Sequence, residues 1–177
     1  MADTDLAHVH PPDAAVALRS FARRYEEAAR AALVDLSGEP EPDEVDEMAN
    51  RVGTDGRSAI DVVVATARSL AALDRAVEQA LVDDAAVVNA DVLDTARRRF
   101  DAPHSGELAT EIALLAGEAD DLADRIDGAD PHRWLHPTPL TGGGTTTPLE
   151  LVREAVRTAR QGLDDLPRIL REVRGRG

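Results

Sequence analysis

The chain has 177 residues, of which 34 are Asp or Glu and 20 are Arg, with no Lys and no Cys, for a formal net charge of −14. Those absences exclude a disulfide scaffold, a thiolate metal site, a cysteine nucleophile and a lysine Schiff base, and the acidic balance lacks the basic footprint of a nucleic-acid binder. Hydrophobic residues make up 43% but are rich in alanine, and only Phe21, Tyr25, Phe100 and Trp134 are aromatic, which favours close-packed helices over a sheet.

Residues 1–12 carry Asp3, Asp5, His8 and His10 without an apolar core, and read as a disordered N-terminal tail rather than a secretory signal. No stretch approaches the roughly 18 uncharged apolar residues that cross a bilayer. A cytoplasmic protein is expected, with residues 13–174 forming one domain of about the size a single core supports.

The first helical segment places Ala14, Leu18, Phe21, Tyr25, Ala28 and Ala32 at alternating spacings of four and three, with Asp13 set to cap it and Gly38 and Pro40 to end it. The second opens at Ser58, with Asp61 three residues on, and carries Ile60, Val63, Ala67, Leu70, Leu73, Val77 and Leu81. Val62–Val64 alone suits a strand, but the helical spacing continues for about twenty residues beyond it. The third follows Pro103 and Ser105 through Leu108, Ile112, Leu115, Ala119, Leu122 and Ile126, with Gly128 a C-cap candidate. The fourth runs Leu149, Val152, Val156, Ala159, Leu163, Leu166, Leu170 and Val173, with Pro148 in its first turn. Pro167 inside that pattern predicts a kink near residue 163, or a helix that ends there and restarts.

Each segment has one apolar stripe, so none can bury it alone, and four such helices predict an all-α four-helix bundle. The connections 37–57, 84–104 and 129–147 are long for a minimal bundle, and the first two hold short helical pieces at Asp43–Arg51 and Asp91–Arg99. Thr147 and Glu150 have the spacing of a capping box.

Chemistry-bearing motifs are sparse. No Glu stands three residues before any of the five His, and there is no His-Glu-x-x-His, so the metal signatures of helical bundles are missing. His132 and His136 flank Trp134 at a spacing that suits a metal only if a helical turn forms; as loop residues they read as solvated or packed. Gly142–Gly144 before Thr145–Thr147 resembles a phosphate cradle only faintly, without the Lys or the preceding strand, and reads as a flexible connector. Ser, His and Asp are all present, but no Gly-x-Ser-x-Gly elbow holds them. Residues 1–149 hold 13 Arg against 29 acids, and residues 150–177 hold 7 against 5, which makes the last helix the basic side of an acidic protein. Arg153, Arg157 and Arg160 there are read as partners of Glu154, Asp164, Asp165 and neighbouring acidic faces, and Arg97–Arg99 before Phe100 as an exposed helix end.

Three stretches resemble the DinB-like superfamily of four-helix bundles, which includes thiol-dependent transferases. Gly56–Ala65 (GRSAIDVVVA) is similar to that family's Trp-Ser-x-x-Glu-x-x-x-His opening of helix two; Leu122–Trp134 (LADRIDGADPHRW) resembles the end of helix three and the Trp-containing loop; Thr145–Leu166 (TTTPLELVREAVRTARQGLDDL) resembles the last helix. The family's metal-binding members use one His from helix two and two from helix four. The resemblance sets those positions at Ala65 and at Thr158 and Gly162, or one residue earlier at Arg157 and Gln161, and none is His; the Trp is Arg57. The implied protein is a bundle with no metal and no cofactor, a homodimer, touching neither nucleic acid nor membrane. Its former metal cleft is expected to bind a small molecule or partner near Asp61, Arg157, Thr158 and Gln161. Two rival classes are a metal-independent thiol-dependent transferase or isomerase, with Arg157 or Arg160 gripping a carboxylate, and a structural or regulatory interaction protein.

Overall fold

The computed structural model describes residues 9–34, 41–93 and 103–175. It is predominantly helical, with α1 (Pro11–Leu33), α2 (Pro42–Asn50), α3 (Ala59–Val82), α4 (Leu108–Gly128) and α5 (Pro148–Arg174), and one two-residue hairpin, β1 (Thr138–Pro139) with β2 (Thr145–Thr146). All six positions of the third segment's stripe are buried, as are all eight of the fourth. The second segment's stripe is buried except for the partly covered Leu81, and the first except for Ala28. At about 1.5–3 kcal/mol for each fully buried large apolar side chain, these stripes supply the driving force for assembly.

The four long helices pack in a cycle, α1 against α4, α4 against α3, α3 against α5 and α5 against α1. Their directions follow from side-chain contacts. Arg19 early in α1 meets Asp124 and Asp127 late in α4, so that pair is antiparallel. Arg57, just before α3, meets Asp165 in the second half of α5, so that pair is antiparallel too. Val9 and Val34 bracket α1, and their carbonyls accept from Arg153 and Arg174 at the two ends of α5; α1 and α5 are therefore parallel. Asp61 at the start of α3 accepts from the backbone of His104 just ahead of α4, and Asp74 late in α3 meets Arg125 late in α4, so α3 and α4 are parallel as well. In chain order the long helices run up, down, down, up.

This topology explains the long connections. Parallel neighbours α3 and α4 need a return along the full length of a helix, about 36 Å for 24 residues. The links α1 to α3 and α4 to α5 cross between helices on opposite corners of the cycle. In the first of them, α2 clamps the start of α4: Asp46 Oδ1 accepts from the Leu108 N–H at 2.8 Å, and Asn50 exchanges hydrogen bonds with the backbone of Gly106. Asp46 thus supplies the cap that Glu107, the residue before α4, does not.

Several local expectations are corrected. The cap position of α1 is His10, with Pro11 and Pro12 opening the helix, so Asp13 is a first-turn acid suited to the dipole instead of the cap, and the helix covers two residues assigned to the tail. Gly128 is the last residue of α4 and has no positive φ; the helix stops because Ala129 is extended. Helix α5 runs unbroken through Pro167, so it does not end near residue 163 and restart. The ring removes one N–H there, but Leu163, Leu166 and Leu170 are buried around it, and their packing holds the helix together. Of the piece expected at Asp91–Arg99, a 3₁₀ turn spans Ala90–Leu93; the rest, with Arg97–Arg99, lies outside the described residues, as do His8, Gly38 and Pro40.

Candidate functional site

Helix α5 begins at the capping box formed by Thr147 and Glu150 and lays a run of small residues toward its neighbours. Gly162 is the tightest point. A Cβ there would stand 2.2 Å from Tyr25 Oη and 2.4 Å from Thr66 Oγ1. Both hydroxyls are engaged: Tyr25 donates to the Ala159 carbonyl at 2.8 Å, and Thr66 donates to the Val62 carbonyl at 2.8 Å. Burial pushes the Tyr25 phenol well above its ordinary pKa, so it stays protonated and able to donate. The glycine at 162 therefore has a packing reason, and no imidazole fits beside that phenol.

Thr158 lies one turn before Gly162. It is buried at 8% exposure, and its Oγ1 has no hydrogen-bond partner among the described residues. Arg157 next to it is exposed and paired with Glu154, whose carboxylate is itself buried. Gln161 is exposed, on the same helix face as Arg157. Three of the four predicted residues thus share one stretch of α5, with only Thr158 pointing inward.

Asp61 is elsewhere. Gly162 is level with Thr66, and with α3 antiparallel to α5 the axial offset between Asp61 and Thr158 is about 13 Å. The Asp61 carboxylate completes the capping box of α3: Oδ2 accepts from the Ser58 N–H and hydroxyl, both at 2.9 Å, while the Ser58 hydroxyl accepts from the Asp61 N–H. Oδ1 accepts from the His104 N–H at 2.9 Å, and His104 Nδ1 lies 3.6 Å away. Burial pushes the Asp61 pKa up, but the hydrogen bonds from His104 and Ser58 outweigh it and hold the carboxyl below its usual range.

Ser58, Asp61 and His104 do meet, yet not in the order of a hydrolytic triad. The serine hydroxyl is bonded to the aspartate instead of the histidine, so the imidazole that a triad uses as base does not meet it. His104 was invisible as a site residue because its partner is 43 positions away and the contact is made through its backbone.

Among the described residues no group of three or more His, Asp or Glu is arranged to hold a metal. His132 sits in a 3₁₀ turn, Pro131–Arg133, and His136 follows it in a half-buried loop. The Gly142–Gly144 run, instead of a loose connector, is the tip of the β1–β2 hairpin, and all three glycines take the positive φ that other residues resist. Leu140 at its base pairs with Val88, which folds the connection back over the end of α3. The predicted ion partners of α5 are realised unevenly. Arg157 takes Glu154 and Arg168 takes Asp165, but Arg153 turns to the Val9 carbonyl and Arg160 has no partner among the described residues.

Within the described residues no helix is long and apolar enough to cross a membrane. Comparisons with protein-family models, with curated proteins and with solved structures found no match for this chain.

Proposed function

We propose that this chain is a DinB-type four-helix bundle without the family's metal triad, and that it binds a small molecule or partner between α3 and α5. The observation that carries the reading is the Thr158 hydroxyl, buried on α5 with no partner among the described residues. A buried hydroxyl without a hydrogen bond is costly, by about 1–3 kcal/mol, and a ligand group that meets it recovers that cost. Arg157 beside it adds a guanidinium that suits a carboxylate or phosphate. The metal-free part of the reading rests on Ala65, Thr158 and Gly162, which offer a methyl, a hydroxyl and no side chain where imidazoles would be needed. The same reading includes a homodimer in the cytoplasm.

The transferase or isomerase alternative draws on the same guanidinium, and turnover separates it from binding alone. The test is a thermal-shift and calorimetric screen of low-molecular-weight thiols and their adducts, with metal content measured on the purified protein. A hit that loses at least tenfold in affinity in both Thr158→Val and Arg157→Ala supports the site; unchanged affinity in both refutes it. Near-stoichiometric zinc or nickel overturns the metal-free assignment.

A further inference from the structure

We propose that the flank shared by α1 and α5 is a docking surface for an acidic segment of another protein. The starting point is a row of cations along α5. Arg153 and Arg174 both reach toward α1, where they donate to the carbonyls of Val9 and Val34. Arg171 lies eighteen residues after Arg153, about five full turns, and so leaves the helix in the same direction. Arg160, seven residues after Arg153 and fourteen before Arg174, falls on the same flank. Across the groove Arg24 lies over the Phe21 ring at 5.1 Å, on the side of α1 turned away from Arg19 and its α4 partners. By the same period, Asp164 on α5 and Asp13, eleven residues before Arg24 on α1, are acids on this flank, and the five arginines outnumber them.

These arginines differ from most of those elsewhere in how they are satisfied. Arg19, Arg51, Arg57, Arg125, Arg133, Arg157 and Arg168 each have a carboxylate within ion-pair distance. On the α1–α5 flank, Arg153 and Arg174 bond only to backbone carbonyls, and Arg160 and Arg171 have no bond or ion pair among the described residues. In a chain with 34 acids for 20 arginines, a line of guanidiniums without a carboxylate partner among the described residues is a local reversal of the molecule's charge.

The geometry narrows the occupant. From Arg153 to Arg174 the row extends about 31 Å, and Arg160 and Arg171 are about 16 Å apart along the axis, too far for one small anion to bridge. A segment with several spaced carboxylates matches it, because a guanidinium takes a carboxylate through two parallel hydrogen bonds. Nucleic acid fits less well. Phe21 and Tyr25 beneath the flank are buried and offer no face to stack a base.

The test uses the full-length protein and a fluorescein-labelled peptide of ten glutamates, read by fluorescence polarisation at 50 and 300 mM NaCl. Binding at 50 mM is expected to weaken at least tenfold at 300 mM, as screening shortens the reach of exposed charges. It should weaken at least tenfold in Arg160→Glu/Arg171→Glu and less than twofold in Arg23→Glu/Arg51→Glu, with circular dichroism confirming that both variants fold. No binding at 50 mM, or equal losses in the two variants, overturns the proposal. Tighter binding of an oligothymidylate than of the peptide reassigns the flank to nucleic acid. Salt-sensitive self-association by light scattering, abolished by Arg160→Glu/Arg171→Glu, reassigns it to a second copy of this chain; both outcomes refute the partner named here. The Thr158 site lies on the α3 side of α5 and has its own test in Thr158→Val and Arg157→Ala, so the two proposals fail separately.

Discussion

Two helices of this protein start with the same device and use it differently. Ser58 with Asp61 opens α3, and Thr147 with Glu150 opens α5; both are complete capping boxes, with the side chains and backbones bonded reciprocally. The Thr147–Glu150 box is exposed, and its glutamate meets only its own neighbours, the Thr147 N–H and the Thr146 hydroxyl. The Ser58–Asp61 box is buried, and its second carboxylate oxygen holds the backbone of His104, 43 residues away. One box only starts its helix, while the other also fixes where α4 begins relative to α3. The difference teaches that burial, more than the motif, sets what a cap contributes.

Three substitutions press on that contrast. The largest effect is expected where polar groups are buried without any cap. Gly162→Ala drives a methyl into the Tyr25 and Thr66 hydroxyls, and even after about 1 kcal/mol of improved helix propensity the net loss should be about 2–4 kcal/mol in urea unfolding. A neutral result would mean that Tyr25 yields cheaply, and that burial is not the governing variable.

Asp61→Ala comes next, at about 2–3 kcal/mol, because it leaves the Ser58 and His104 N–H groups buried without their acceptor. Its pH signature sharpens the comparison. A carboxyl whose pKa is lowered by folding contributes its stability above the unfolded value, near 3.9, and loses it as pH falls through the lower folded value. The wild-type stability advantage over Asp61→Asn should therefore shrink below about pH 4 and be constant from pH 5 to 7. A difference that grew on acidification would contradict the assignment.

The smallest effect belongs to Glu150→Ala, at about 0.5–1 kcal/mol, the ordinary worth of an exposed cap. If thermal melts put it level with Asp61→Ala, the contrast between the two boxes would fail.

Much of the helical layout was legible from spacing. The buried stripes of α3, α4 and α5 were recoverable because a 3.6-residue period shows which side chains share a face, whatever that face meets. The capping boxes of α3 and α5 were readable for the same reason, being contained within four residues. Local reading failed where one outcome depended on a distant partner. Pro167 sits inside a continuous helix because the surrounding leucines are packed, and Gly128 ends its helix without a left-handed turn. The three glycines after Thr141 form a hairpin tip because Val88 pairs with Leu140 at its base.

The candidate site divides in the same way. Position along α5 is enough to group Arg157, Thr158 and Gln161, since they span little more than one turn. Nothing in the sequence says that Thr158 faces inward while the other two face water, or that Asp61 belongs with His104 at the start of α4. Nor does it say that Gly162 is held small by a phenol from α1.

By itself, then, the sequence determined that this is a helical, acidic, arginine-only chain without cysteine, and where its long helices lie, since composition and short-range period need no knowledge of partners. Tertiary structure alone decided the up-down-down-up order, the burial of Thr158 and the gathering on the α1–α5 flank of arginines without a carboxylate partner among the described residues. Those depend on which helices become neighbours, and that choice follows from how four apolar stripes close around one core, with energies spread over contacts between residues far apart in the chain.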